Sequence, residues 1–151
     1  MVLHSYQNFI HVELTKQIIG AAIAVHRSLG PGFLESIYEK ALIIELTQMG
    51  MSIGCQVPIN IQYRGKPIGM HRLDLIVENR IVVEIKAIKE IDDVHKAVVL
   101  SYLKATSLNI GLIINFARSK IITTRLAYGL SKGNTEEQSL RGTEEDTDDD
   151  D

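Results

Sequence analysis

Asp74, Glu84 and Lys86 stand within one short stretch, RLDLIVENRIVVEIKAI at 72–88. Two carboxylates offer hard oxygen ligands, and the backbone carbonyl of Ile85 between Glu84 and Lys86 can add a third. That donor set suits Mg²⁺ or Mn²⁺, ions that keep several of their waters. A bound divalent ion supplies hydroxide and stabilises charge on a phosphoryl group. Lys86 can orient the attacking water, stabilise the transition-state charge, or act as a base if its pKa is lowered. The chemistry these residue types suit is metal-assisted hydrolysis of a phosphodiester.

The elements around them must bring them together. Ile68 to Val77 and Ile81 to Ile88 read as two strands joined by Glu78-Asn79-Arg80. A three-residue turn centred on Asn79, a residue that tolerates left-handed backbone, sets Asp74 directly across from Glu84 on one sheet face. Their Cβ atoms would then be about 5 Å apart, a repulsive pairing that a cation would reverse. A two-residue turn would slip the register and send them to opposite faces. Lys86 follows Glu84 by two and shares its face, with Val82 and Ile88. Ile81, Val83, Ile85 and Ala87 form the other face, so the strand reads as buried on both sides. Two plainer readings stand beside the chemical one: a solvated polar stripe, and a buried ion pair that serves structure alone.

The rest of the chain supplies a frame. Leu14, Ile18, Ala22 and Val25 predict a helix over 11–28, broken by Leu29-Gly30-Pro31-Gly32. Leu34, Ile37, Ala41 and Ile44 predict a second helix over 33–49 with that apolar stripe, stopped by Gly50. Its first turn holds Glu35, favoured there by the helix dipole, with Tyr38 three residues on. The commoner reading of Glu35 is simply an N-terminal helix carboxylate. Val57 to Tyr63 alternates as a strand, and Arg64-Gly65-Lys66-Pro67 is a turn. Asp92 or Asp93 caps a third helix through Ser107, with Val94, Val98, Val99, Tyr102 and Leu103 inward. Leu108 to Asn115 is an apolar strand, and Ile121 to Tyr128 reads as a last strand, with a helix as the other reading. The order is α-α-β-β-β-α-β-β, an α/β class.

Composition sets the remaining bounds. The 151 residues suit one domain, and they are 45% apolar. Mean hydropathy is +0.06. With 5% aromatics and no Trp, the core must be aliphatic. One cysteine excludes an internal disulfide and a cysteine-rich zinc site, and fits a reducing compartment. Cys55 reads as a small buried apolar side chain. No apolar run is long enough to cross a membrane, and the N-terminus lacks a signal-peptide pattern, so a cytoplasmic location is expected. Residues 136–151 hold nine acids and one base, leaving 1–135 at +5. A domain over 1–130 and a disordered acidic tail over 131–151 follow. The tail reads as solubilising, or as a mimic of nucleic acid that screens the basic body.

LGPGFLESIYEKAL (29–42), CQVPI (55–59), RLDLIVENRIVVEIKAI (72–88) and LSYLKATSLNIGLIINF (100–116) resemble the GxxExxY proteins of the PD-(D/E)XK nuclease superfamily. The resemblance covers roughly residues 10–128. It implies a central mixed β-sheet flanked by helices. It also implies Asp74 and Glu84 as metal ligands, Lys86 as the motif lysine, and Glu35 as the helix acid completing the site. Gln56 would orient the site or contact substrate, and Tyr38 would lie behind it. Relatives often carry Gln-x-x-x-Tyr on the helix after the lysine strand; here those positions are Val98 and Tyr102, so the tyrosine remains and the glutamine does not.

Further residues have two readings each. His95 can reach the site or a phosphate, or be a surface histidine. His26 reads as a helix-end packing residue. His71, Arg72, Lys89 and Lys96 can contact phosphate or stay solvated. The expected function is a Mg²⁺- or Mn²⁺-dependent nuclease on DNA, with RNA the alternative substrate. The alternatives are a non-catalytic nucleic-acid-binding or adaptor module, which Val98 motivates, and a purely structural or oligomeric role. A homodimer or a partner protein is expected to supply specificity.

Overall fold

A computed structural model describes residues 10–129 and 140–142. The elements are α1 (Val12–Leu29), α2 (Glu35–Gln48), β1 (Ile53–Tyr63), β2 (Lys66–Val77), β3 (Ile81–Lys86), α3 (Asp93–Thr106), β4 (Ile110–Asn115) and β5 (Ile122–Ala127). This is the expected order. A three-residue β6 (Leu140–Gly142) pairs with β5. Apart from β6, the tail expected at 131–151 lies outside the described residues.

The sheet runs in order β1-β2-β3-β4-β5-β6. All neighbours are antiparallel except β3 and β4. A parallel pair cannot be joined by a tight turn, and α3 makes the crossover. Gly111 lets that helix sit close: a Cβ there would come within 2.5 Å of Val99 Cγ1.

Helices cover both faces. Leu14, Ile18, Ala22 and Val25 of α1 and Tyr38, Leu42 and Leu46 of α2 pack with Leu75, Val77, Ile81, Val83 and Ile85. On the other side Tyr102 and Leu103 of α3 pack with Ile59, Leu73 and Val82. β3 is therefore buried on both faces from Ile81 to Ile85.

The α1 stripe lies inward as its spacing requires, and Gly30 N–H closes the helix on His26 O at 2.7 Å. Most of the expected α2 stripe faces outward, while its Ala41 packs against the core. Leu34, Ile37 and Ile44 are exposed, while Tyr38, Leu42 and Leu46 are buried. Apolar and polar residues are mixed around this helix with no single apolar stripe, so periodicity alone cannot choose its inner face. On α3, Val94 is exposed and Val99, Tyr102 and Leu103 carry the packing.

Two strand ends also differ. β1 starts at Ile53, earlier than its alternation suggests. β3 stops at Lys86, because the Asn115 side chain takes over the pairing of Ile88. Asn115 Nδ2 donates to Ile88 O at 2.8 Å, and Ile88 N–H donates to Asn115 Oδ1 at 3.2 Å.

Candidate active site

The β2–β3 turn is the three-residue form. Glu78 and Asn79 both take left-handed backbone, with φ of 53° and 51°. Val77 then faces Ile81, Ile76 faces Val82 and Leu75 faces Val83. In that register the next pair is Asp74 and Glu84, and here the backbone ladder stops. Side chains replace it. Asp74 N–H donates to Glu84 Oε1 at 3.0 Å, and Ile85 N–H donates to Asp74 Oδ2 at 2.8 Å. The two carboxylates act as wedges where β2 leaves β3, while β3 continues beside β4 to Lys86 opposite Asn115.

The wedge is electrostatically tense. Glu84 is 5% exposed. Burial, then the charge of Asp74, pushes its carboxyl up to about 7. Asp74 is raised as well, by burial first and then by Glu39, against the hydrogen bond from Ile85. Lys86 partly offsets both, since its charge favours the ionised carboxylates. Tyr102 is raised by burial and by the nearby Glu84 and Asp74. Its hydroxyl lies 3.5 Å from Arg72 O, and His71 meets its ring edge-on at 6.0 Å.

The start of α2 comes over the end of β3. Glu35 Oε1 accepts from Ala87 N–H at 3.4 Å, and its charge is felt at Glu84. Glu39, one turn further on, also belongs to this cluster. Its Oε2 accepts from Gln56 Nε2 at 3.0 Å, and the same amide nitrogen lies 3.4 Å from Asp74 Oδ1. Gln56 takes left-handed backbone, φ 50°, and links α2 to the carboxylate wedge. Sequence reasoning missed Glu39, although its i+4 spacing from Glu35 puts it on the same helix face.

The other candidates divide. Glu35, Gln56, Asp74, Glu84, Lys86 and Tyr102 come together. Tyr38 turns into the core, where it stacks on Phe116 with centroids 4.4 Å apart and donates to Gly30 O at 2.6 Å. His95 is engaged in the α3 cap: its Nδ1 accepts from Asp92 N–H at 3.0 Å, while Asp92 Oδ1 accepts from Val94 and His95 N–H. His26 packs at its helix end, buried, with Nε2 2.8 Å from Arg118 O. Cys55, expected to be buried, is exposed beside the site, its thiol donating to Glu39 Oε1 at 3.2 Å. The turn of Gln56 into left-handed backbone bends β1 here, so alternation does not predict the side of Cys55.

Hard oxygen donors, excess negative charge and carboxyls held above their ordinary pKa fit a divalent cation. Among the described residues no group of three or more His, Cys, Asp or Glu is arranged to hold a metal. Asp74 and Glu84 would therefore leave most of the coordination to water, as suits Mg²⁺.

A model of the PD-(D/E)XK nuclease superfamily matches residues 12–126. The chain belongs to this superfamily. Its members typically are hydrolytic nucleases that use divalent metals. No match was found among curated proteins. One solved protein, SSO0001, is similar at 22% identity and a TM-score of 0.49, over 62% of this chain. The chain spans about half the length of that protein, as 50% of it is covered. Among the described residues no helix is long and apolar enough to cross a membrane.

Proposed function

We propose that this chain is a Mg²⁺- or Mn²⁺-dependent nuclease of the GxxExxY type that hydrolyses DNA. The observation that carries the reading is the wedge itself. Two carboxylates are driven together at a buried strand divergence, and each pays for ionisation in repulsion that a divalent cation would relieve. Asp74 and Glu84 would hold the ion, with Ile85 O and waters completing its oxygen shell and Glu35 close by to orient one of those waters. The ion would supply an activated water and neutralise phosphoryl charge.

The chain's own groups have separate tasks. Lys86, beside both carboxylates, holds positive charge where a scissile phosphate gains negative charge. Glu39 and Gln56 fix the orientation of Asp74 through the amide bridge. Tyr102 closes the α3 side of the site.

Purified protein is incubated with single- and double-stranded DNA and RNA in Mg²⁺ or Mn²⁺, beside Lys86→Ala and Asp74→Ala. Cleavage that requires the metal and is lost in both variants is the expected result. Metal-independent binding without cleavage of any substrate would instead favour the non-catalytic reading that Val98 motivates.

A further inference from the structure

β2 has two partners from Leu75 to Val77 and only β1 from Lys66 to Leu73. The β2–β3 pairing ends at Leu75–Val83, but β1–β2 pairing continues from Val57–Leu73 to Tyr63–Lys66. The result is a two-stranded ribbon that leaves the sheet at the carboxylate wedge. Its root packs on α3 through Ile59, Leu73 and Tyr102. From Gln62 to Arg72 every residue is exposed. At about 3.4 Å per residue the ribbon is about 20 Å long.

Its chemistry is one-sided. Residues 57–73 contain Arg64, Lys66, His71 and Arg72, and no acid. The tip turn is Arg64-Gly65, both left-handed at φ 49° and 73°, which keeps the strands paired to the end. Tyr63, Ile68 and Met70 are exposed at 61%, 65% and 49%. The outer edge of β1 is poorly built for strand addition by a second copy. Pro58 lacks an amide donor, and the register shifts at Ile61/Gln62.

We infer that this ribbon is the arm that grips duplex DNA, lying in a groove and presenting a strand to the wedge at its root. A major groove about 12 Å wide admits a two-stranded ribbon. The cations meet phosphates along the groove walls, and the apolar tips meet sugars and base edges. Single strands would gain less, since the exposed rings on the ribbon are few: Tyr63, and His71 set edge-on against Tyr102. The inference names the form of substrate for the proposed nuclease and so rests on that reading.

The test is binding of a duplex and of a single strand of equal length in EDTA, over a salt series, by the wild type and by Arg64→Ser with Lys66→Ser. We expect duplex affinity to fall about tenfold and the salt slope to decrease by about 2. Single-strand affinity and Mn²⁺ affinity should stay as in the wild type. Unchanged duplex affinity, or an equal loss for both nucleic acids, would overturn the proposal. So would a dimer in solution that Ile68→Ser with Met70→Ser dissociates without changing duplex affinity. Cleavage is read separately in Mn²⁺. Ribbon-dependent duplex binding without cleavage would sink the nuclease reading alone; cleavage with ribbon-independent affinity would sink only the arm.

Discussion

Burial and then the charge of Asp74 push the Glu84 carboxyl up to about 7, so the proton is held far above the ordinary carboxylate range. This has a sign for stability. The unfolded chain releases that proton near 4.5, the ordinary value, while the folded chain keeps it to about 7. The folded state therefore binds more protons across this window, and stability falls as pH rises through it. The loss is on the order of 3 kcal/mol, and Asp74 adds to it in the same direction. Glu84→Gln keeps an oxygen for Asp74 N–H and removes the charge. Melting of the metal-free proteins should show the variant gaining on the wild type between pH 5 and pH 8; a gap that stays constant would contradict the assignment. Lys86 and both carboxylates were legible as a set because a strand's period of two fixes which residues share a face. Glu39 was not singled out, since one more glutamate on a helix carries no signal until Gln56 and Asp74 are seen against it.

The elements were legible where few solutions remained. The sequence left a two- or a three-residue turn between β2 and β3, and the three-residue form fixes the register and with it the meeting of Asp74 and Glu84. Asp92 opens α3 as its type suggests. The inner face of α2 was hidden, because Leu34, Ile37 and Ile44 are as apolar as Leu42 and Leu46. What decides it is tertiary: Tyr38 finds Phe116 and Gly30 O, and the same rotation delivers Glu35 and Glu39 to the site. The end of β3 was hidden for a similar reason, as the Asn115 side chain imitates a strand from a distance of 27 residues. The crossover offers a direct check. In Gly111→Ala the new Cβ meets Val99 Cγ1 at 2.5 Å, inside the tightest part of the α3–β4 contact. Denaturant unfolding should show a loss of about 1–3 kcal/mol. A neutral result would mean that α3 can lift off β4 freely, and with it Tyr102 from the wedge.

Over the whole molecule, one physical event organises the site. A continuous sheet divides where β2 turns away from β3, and the division is held open by two carboxylates. The catalytic candidates lie at that fork, and the basic ribbon grows out of it. The resemblance of four sequence segments anticipated the mixed sheet and its flanking helices, and the superfamily match spans 12–126. The fork itself could not be read in advance, since alternation describes strands as though each kept its neighbours. The measurement that tests the central claim most directly is calorimetric titration of Mn²⁺ into the metal-free full chain at pH 7, in two buffers of different protonation enthalpy. The account predicts saturable binding that releases protons from the carboxylate pair, and that is lost in Glu84→Gln and Asp74→Asn. No binding by the wild type, or binding that survives both substitutions, would contradict it.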